Sequence, residues 1–319
     1  PPPGGYEDRG PQMIAIYWIE AAIAILVVAL RIWGRVVIRQ VGADDYVMIF
    51  TLILFLILAS ISTYYASIGG LRHLFDLTAD QQSQVIRINW VTQPWVIFGF
   101  ATGKISVALL ILRIIGPNAF WRRWILYFAM VTVLILNSID CIITFTQCNP
   151  PKALWEPQLI AEGKAKCWNP HIQADYAIFL SSKLLAPSWN VMIDVMLAIL
   201  PVTILYKLNL SLKKKLGLSA LLGLGLVAAI CGAIKTKFLA GLSARSDLTW
   251  ETYNLFVWSG AELFVIIVCG SIPPIKPLYD MVFRKNHRGD YDYSGSSNRY
   301  IAEHSLKSAR SDQPLEASD

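Results

Sequence analysis

Charge is what this chain has least of. Only 16% of its 319 residues are Asp, Glu, Lys or Arg, where a soluble domain carries about 25%. Cysteine is also sparse: five residues are too few for a disulfide-built scaffold. Four histidines leave little for a metal centre, and His73, with His171, Asp76, Asp80 or Asp175 nearby, forms no pair at a ligand spacing. Phosphate-binding glycine loops, dinucleotide fingerprints, nucleophile elbows and zinc-protease motifs are all absent. No cofactor and no metal is expected from these residues. The net charge of +6 does not point to nucleic acid, because the basic residues gather on one side of a predicted membrane.

What the chain has in abundance is apolar sequence, 55% of the total. It comes in runs of about 20 residues, the length that crosses a bilayer as a helix. Seven such spans are predicted: Met13 to Trp33, Tyr46 to Ser67, Val91 to Ile115, Trp124 to Phe145, Ser182 to Tyr206, Leu216 to Ala240 and Tyr253 to Ile275. The expected fold is all-α, a seven-helix membrane bundle. Residues 1–12 form an outer tail, 13–280 the membrane domain and 281–319 a polar, disordered cytoplasmic tail. The first run lacks a short h-region with a small-residue cleavage site, so it is expected to serve as an uncleaved anchor. Pro94, Gly99, Gly103 and Lys104 interrupt the third span.

Orientation follows from the basic residues. The loops after spans one, three and five hold Arg31, Arg35, Arg39, Arg113, Arg122, Arg123, Lys207, Lys213, Lys214 and Lys215. With the tail, that side has 17 of the 28 Lys and Arg, against 8 on the other side. The N-terminus is therefore expected outside and the C-terminus in the cytoplasm. Cys148 and Cys167 then share an outer loop, where a disulfide between them would persist. The sequon Asn209-Leu210-Ser211 falls inside and is expected to stay unglycosylated. The basic loops favour anionic inner-leaflet lipid and could meet a cytoplasmic partner.

Charges within a span cost about 2.5–3.5 kcal/mol each on insertion scales, so each needs a reason. Lys104, Asp194 and Glu262 fall near mid-depth, Glu20 about a turn further out and Asp140 near the outer end of span four. Lys183, Pro187, Asn190, Asp194 and Pro201 repeat at helical spacing and share one face. Two readings stand. In one, Lys104 is tied to Asp194 or to Glu262 as a structural pair; in the other, Lys104, Asn190, Asp194, Glu262 and Glu20 line a ligand cavity. Retinal chemistry requires a Schiff-base lysine in the pocket, and residues 251–275 contain no Lys. The switch motifs of animal seven-helix receptors are missing as well: span three ends Leu112-Arg113-Ile114, and span seven ends Pro273-Pro274-Ile275-Lys276-Pro277-Leu278-Tyr279.

An ordered set of short motifs carries a resemblance. It comprises Asp8-Arg9-Gly10-Pro11, Leu30-Arg31, Gly42-Ala43-Asp44-Asp45-Tyr46, Lys104-Ile105-Ser106 and Leu112-Arg113-Ile114. It continues with Cys148-Asn149-Pro150, Trp155, Cys167, Asp194, Leu200-Pro201, Glu262, Cys269 and Pro273-Pro274-Ile275-Lys276-Pro277. Over about residues 7–280 the chain resembles the fungal rhodopsin-domain integral membrane proteins. That family includes appressorium-receptor-like proteins and membrane proteins encoded beside satratoxin-type and other secondary-metabolite pathways. The resemblance implies a seven-helix fold without retinal, and marks Asp44, Asp45, Lys104, Asp194 and Glu262 as motif positions. Some relatives carry an eight-cysteine module ahead of span one; residues 1–12 contain none. The leading expectation is a plasma-membrane or endomembrane protein that binds or senses a small lipophilic molecule. The alternative is a membrane-embedded acid–base cyclase or isomerase with Asp194 or Glu262 as proton donor. A transporter is a third reading, disfavoured by the lack of internal repeats.

Overall fold

A computed structural model describes residues 8–73, 76–115, 119–156, 158–168, 192–197, 199–200, 227, 230–231, 234 and 248–284. Four long helices come first: α1 (Gly10–Val37), α2 (Ala43–Ser67), α3 (Ala79–Ile114) and α4 (Phe120–Thr146). A small motif follows, with strand β1 (Cys148–Asn149), a 3-10 turn (Pro151–Leu154), a one-turn helix α5 (Gln158–Ala161) and strand β2 (Lys166–Cys167). Residues 192–197 are helical, and the last described helix is α6 (Leu248–Arg284).

Among the described residues, five helices are long and apolar enough to cross a membrane. They match the predicted spans one to four and seven. The predicted fifth and sixth spans fall largely outside the described residues. An apolar stretch of this length must satisfy its own backbone in lipid, and the helix does so residue by residue. Large apolar side chains point outward where lipid would meet them, as on α4 with Trp124, Phe128, Val131, Ile135 and Ile142.

The third span starts earlier than hydropathy alone places it. Thr78 Oγ1 accepts from the Gln81 amide at 3.4 Å, and Gln81 Oε1 accepts from the Thr78 amide at 3.0 Å. This reciprocal capping box opens α3 at Ala79, three turns before the apolar run begins. Pro94 lies inside α3 without ending it.

Successive helices pack as neighbours, α1 on α2, α2 on α3 and α3 on α4. The core has two main parts, and α3 separates them. One joins Tyr17, Phe55, Leu58, Phe100, Phe256, Leu263 and Ile267 across α1, α2, α3 and α6. The other joins Ala101, Ala108 and Ile111 of α3 to Leu126, Ala129 and Val133 of α4 and to Ile193, Leu197 and Leu200. The sequence pattern of α3 explains this. Residues 101, 104, 108 and 111 form one helical face, and 99, 103, 106, 110 and 113 the opposite one. On that second face, glycine allows close approach: a Cβ on Gly103 would lie 2.7 Å from Ile266 Cγ2, and one on Gly99 2.8 Å from Leu263 Cδ2.

The β1–β2 motif is closed by a disulfide between Cys148 and Cys167, whose strands pair antiparallel. It rests on the N-terminal end of α3, where the Ser83 hydroxyl donates to the Trp155 carbonyl at 3.2 Å and Arg87 lies over the Trp155 ring.

Candidate functional site

The first face of α3 carries Lys104, 3% exposed. Its ammonium lies 3.0 Å from both carboxylate oxygens of Asp194, itself 6% exposed. Of the two partners the sequence offered, Asp194 is in direct contact with Lys104. Beside them is a cavity of about 10 Å³ lined by Lys104, Ile105, Ala108, Ala129, Met130, Val133, Ile193 and Leu197. A space of that size takes about one water. Among the described residues every other lining side chain is apolar, so the pair stands beside a surface of low polarity, where an ion pair is weakly screened.

Glu262 is 3% exposed on α6 and shares a buried face with Ser259, Ile266 and Cys269. Asn190 lies outside the described residues, as do Lys183, Pro187 and Pro201. Glu20 is not brought to the pair. It sits on α1, which packs on α2, while the pair is walled by α3, α4 and residues 192–197. Glu20 Oε2 is buried without a hydrogen-bond partner among the described residues. Asp140 is on α4, where its carbonyl accepts from the Thr144 hydroxyl at 2.8 Å. His73 is a packing residue: its ring stacks on Trp250 at 4.2 Å, and the Arg9 guanidinium lies 3.6 Å from the same indole. No metal-ligand cluster occurs among the described residues.

The structure also corrects the reading of Arg31 and Arg35 as loop charges. Both belong to α1 and both are buried. Arg31 is fully buried and donates through Nε to Asp45 Oδ1 at 2.7 Å, through Nη2 to Asp44 Oδ2 at 2.7 Å, and through Nη1 to the Gly270 carbonyl at 2.6 Å. Arg35 Nη2 reaches Asp44 Oδ2 at 3.1 Å, and Arg113 reaches Asp44 Oδ1 at 3.3 Å. Ser106 donates to the Asp44 carbonyl at 2.7 Å, and the Gly42 amide to Asp45 Oδ2 at 3.0 Å. This network ties α1, α2, α3 and α6 at one end of the bundle. The signal was present in the sequence: two arginines four apart, then two aspartates across a short turn. A charge count by loop cannot see it.

Long apolar helices with an ion pair and an arginine–aspartate network sealed between them define a helical, multi-pass membrane protein. The fungal rhodopsin domain family matches residues 30–281, and the chain belongs to that family. Three relatives are similar over much of its length. One, named Fugralins biosynthesis cluster protein 2, from Gibberella zeae, is 24% identical over 198 residues, covering 58% of this chain and 46% of that protein. Receptor GIN3 of Arthrobotrys oligospora is 22% identical over 270 residues, 84% of this chain and 62% of the receptor. Wortmanamides biosynthesis cluster protein C of Talaromyces wortmannii is 26% identical over 259 residues, 80% of this chain and 67% of that protein. The chain spans about half to two-thirds of the length of these curated relatives. No solved structure matches it.

Proposed function

We propose that this protein is a seven-helix sensor of a small lipophilic molecule in fungal secondary metabolism, working without retinal. Its N-terminus faces outward and its C-terminal tail, from about residue 281, lies in the cytoplasm. The observation that carries this reading is the buried Lys104–Asp194 pair. Two buried ions of opposite sign within a bundle of apolar helices offer a polar anchor at depth, so a lipophilic molecule bearing one polar or charged group can compete for either partner. Glu262 and Asn190 complete the proposed ligand set, with Glu20 as a more distant contributor. Relatives named as a receptor and as biosynthesis cluster proteins support the setting.

The second reading is a membrane-embedded acid–base enzyme, with Asp194 or Glu262 giving and taking the proton. It draws on the two relatives named for biosynthesis clusters. Deletion of the gene with metabolite profiling separates the two. A sensor predicts a changed level of a whole product family with no precursor building up. Accumulation of one precursor, relieved by wild-type protein but not by Asp194→Asn, would replace the sensor with the enzyme.

A further inference from the structure

In an α-helix the carbonyl of residue i accepts from the amide of residue i+4. Proline has no amide hydrogen. Pro273 and Pro274 therefore remove the helical donors for the carbonyls of Cys269 and Gly270. The helix α6 nevertheless runs through both prolines, from Leu248 to Arg284. The Gly270 carbonyl, left without its amide by Pro274, is the one that accepts from Arg31 Nη1 at 2.6 Å. That guanidinium is held from its other side by Asp45 and Asp44, both at 2.7 Å. Position 270 is also a close approach: a Cβ there would lie 2.5 Å from the flexible end of Met48, at Cε, and 3.1 Å from Val107 Cγ2.

We infer that Arg31 and the Pro273–Pro274 step form a latch. Arg31 supplies from α1 the hydrogen bond that Pro274 takes away, and so holds α6 at residues 270–276 closed against α1 and α2. A continuous helix would need no such donor. A proline step is where a helix bends most easily, because the ladder that would resist bending is missing. Release of Arg31 therefore opens α6 at this step. The two aspartates set the geometry of the guanidinium, Arg35 and Arg113 share the load on Asp44, and Ser106 joins α3 to the same point. The latch needs no ligand and holds whichever functional reading applies.

The test is amide hydrogen exchange of the full chain in lipid nanodiscs, read over residues 264–272. Lysine at position 31 keeps a charge but cannot serve two aspartates and a carbonyl from one planar fork. Arg31→Lys is expected to speed exchange in this stretch by about tenfold, as a local opening does. Adding Pro274→Ala restores the amide to Gly270 and is expected to bring exchange back to within about threefold of wild type. Unchanged exchange in Arg31→Lys, or a double variant as fast as Arg31→Lys, would overturn the latch. If Arg31→Lys does not accumulate, Pro274→Ala alone decides: slower exchange over 264–272 supports the latch, and equal or faster exchange overturns it.

Discussion

Lys104 and Asp194 meet at 3.0 Å across the interface between α3 and the helical residues 192–197, with almost no exposure of either side chain. Removing one partner alone takes a counterion at 3.0 Å away from the other buried ion, and breaking a buried pair in this way costs about 3–5 kcal/mol. Lys104→Met and Asp194→Leu should therefore each lower the melting temperature sharply. The double variant should recover most of the loss, because the pair itself is close to neutral against an apolar replacement. Thermal unfolding of the three variants in one detergent checks this. Two single losses that simply add in the double variant would dissolve the coupling.

The glycines of α3 make a graded prediction. A Cβ at Gly103 meets the stiff, β-branched side chain of Ile266, whereas one at Gly99 meets the flexible tip of Leu263. Gly103→Ala should cost about 1–3 kcal/mol, as overpacking does, and Gly99→Ala less. Comparison of their unfolding midpoints is sufficient, and equal midpoints would contradict the packing.

The Cys148–Cys167 disulfide makes a third. Cys148 and Cys167 are 19 residues apart, and closing a loop of that order contributes about 3 kcal/mol in the chain-entropy view. Cys148→Ser with Cys167→Ser should free the motif from α3. The Trp155 fluorescence environment should then change, through loss of its contacts with Ser83 and Arg87, while helicity by circular dichroism stays intact. Unaltered fluorescence in a background lacking the other tryptophans would show that the motif holds its place without the bond.

Topology makes a fourth. A glycosylation sequon placed between Cys148 and Cys167 should be modified in microsomes, and Asn209 should not. Modification at Asn209 would invert the proposed orientation.

Much of the fold was legible because lipid imposes a simple rule: about 20 apolar residues make one helix. That rule gave α1, α2 and α4 to within about a turn of their ends, whereas α6 starts five residues before the predicted span and runs nine residues past it. It misplaced the start of α3, because Asp80, Gln81, Gln82, Ser83 and Gln84 form helix outside any apolar run, and the signal there is the Thr78–Gln81 cap rather than hydropathy. In the site, Lys104 and Asp194 were legible as charges in the wrong solvent, though their pairing was only one of two options. Arg31 and Arg35 were hidden. An arginine at the end of a span reads as a topology signal, and only the three-dimensional meeting of α1 with Asp44, Asp45 and Gly270 shows that it is structural. Glu20 lies by sequence about a turn further out than Lys104, Asp194 and Glu262, and depth alone carries no information about which neighbours a helix faces.

The most direct test of the sensor reading is ligand retention. Full-length protein in nanodiscs is incubated with a lipophilic extract of a fungal culture, and native mass spectrometry records what stays bound. The account predicts one small molecule retained by the wild type and lost from the folded Lys104→Met/Asp194→Leu double variant. Equal retention by both proteins, or no compound retained by either, would contradict it.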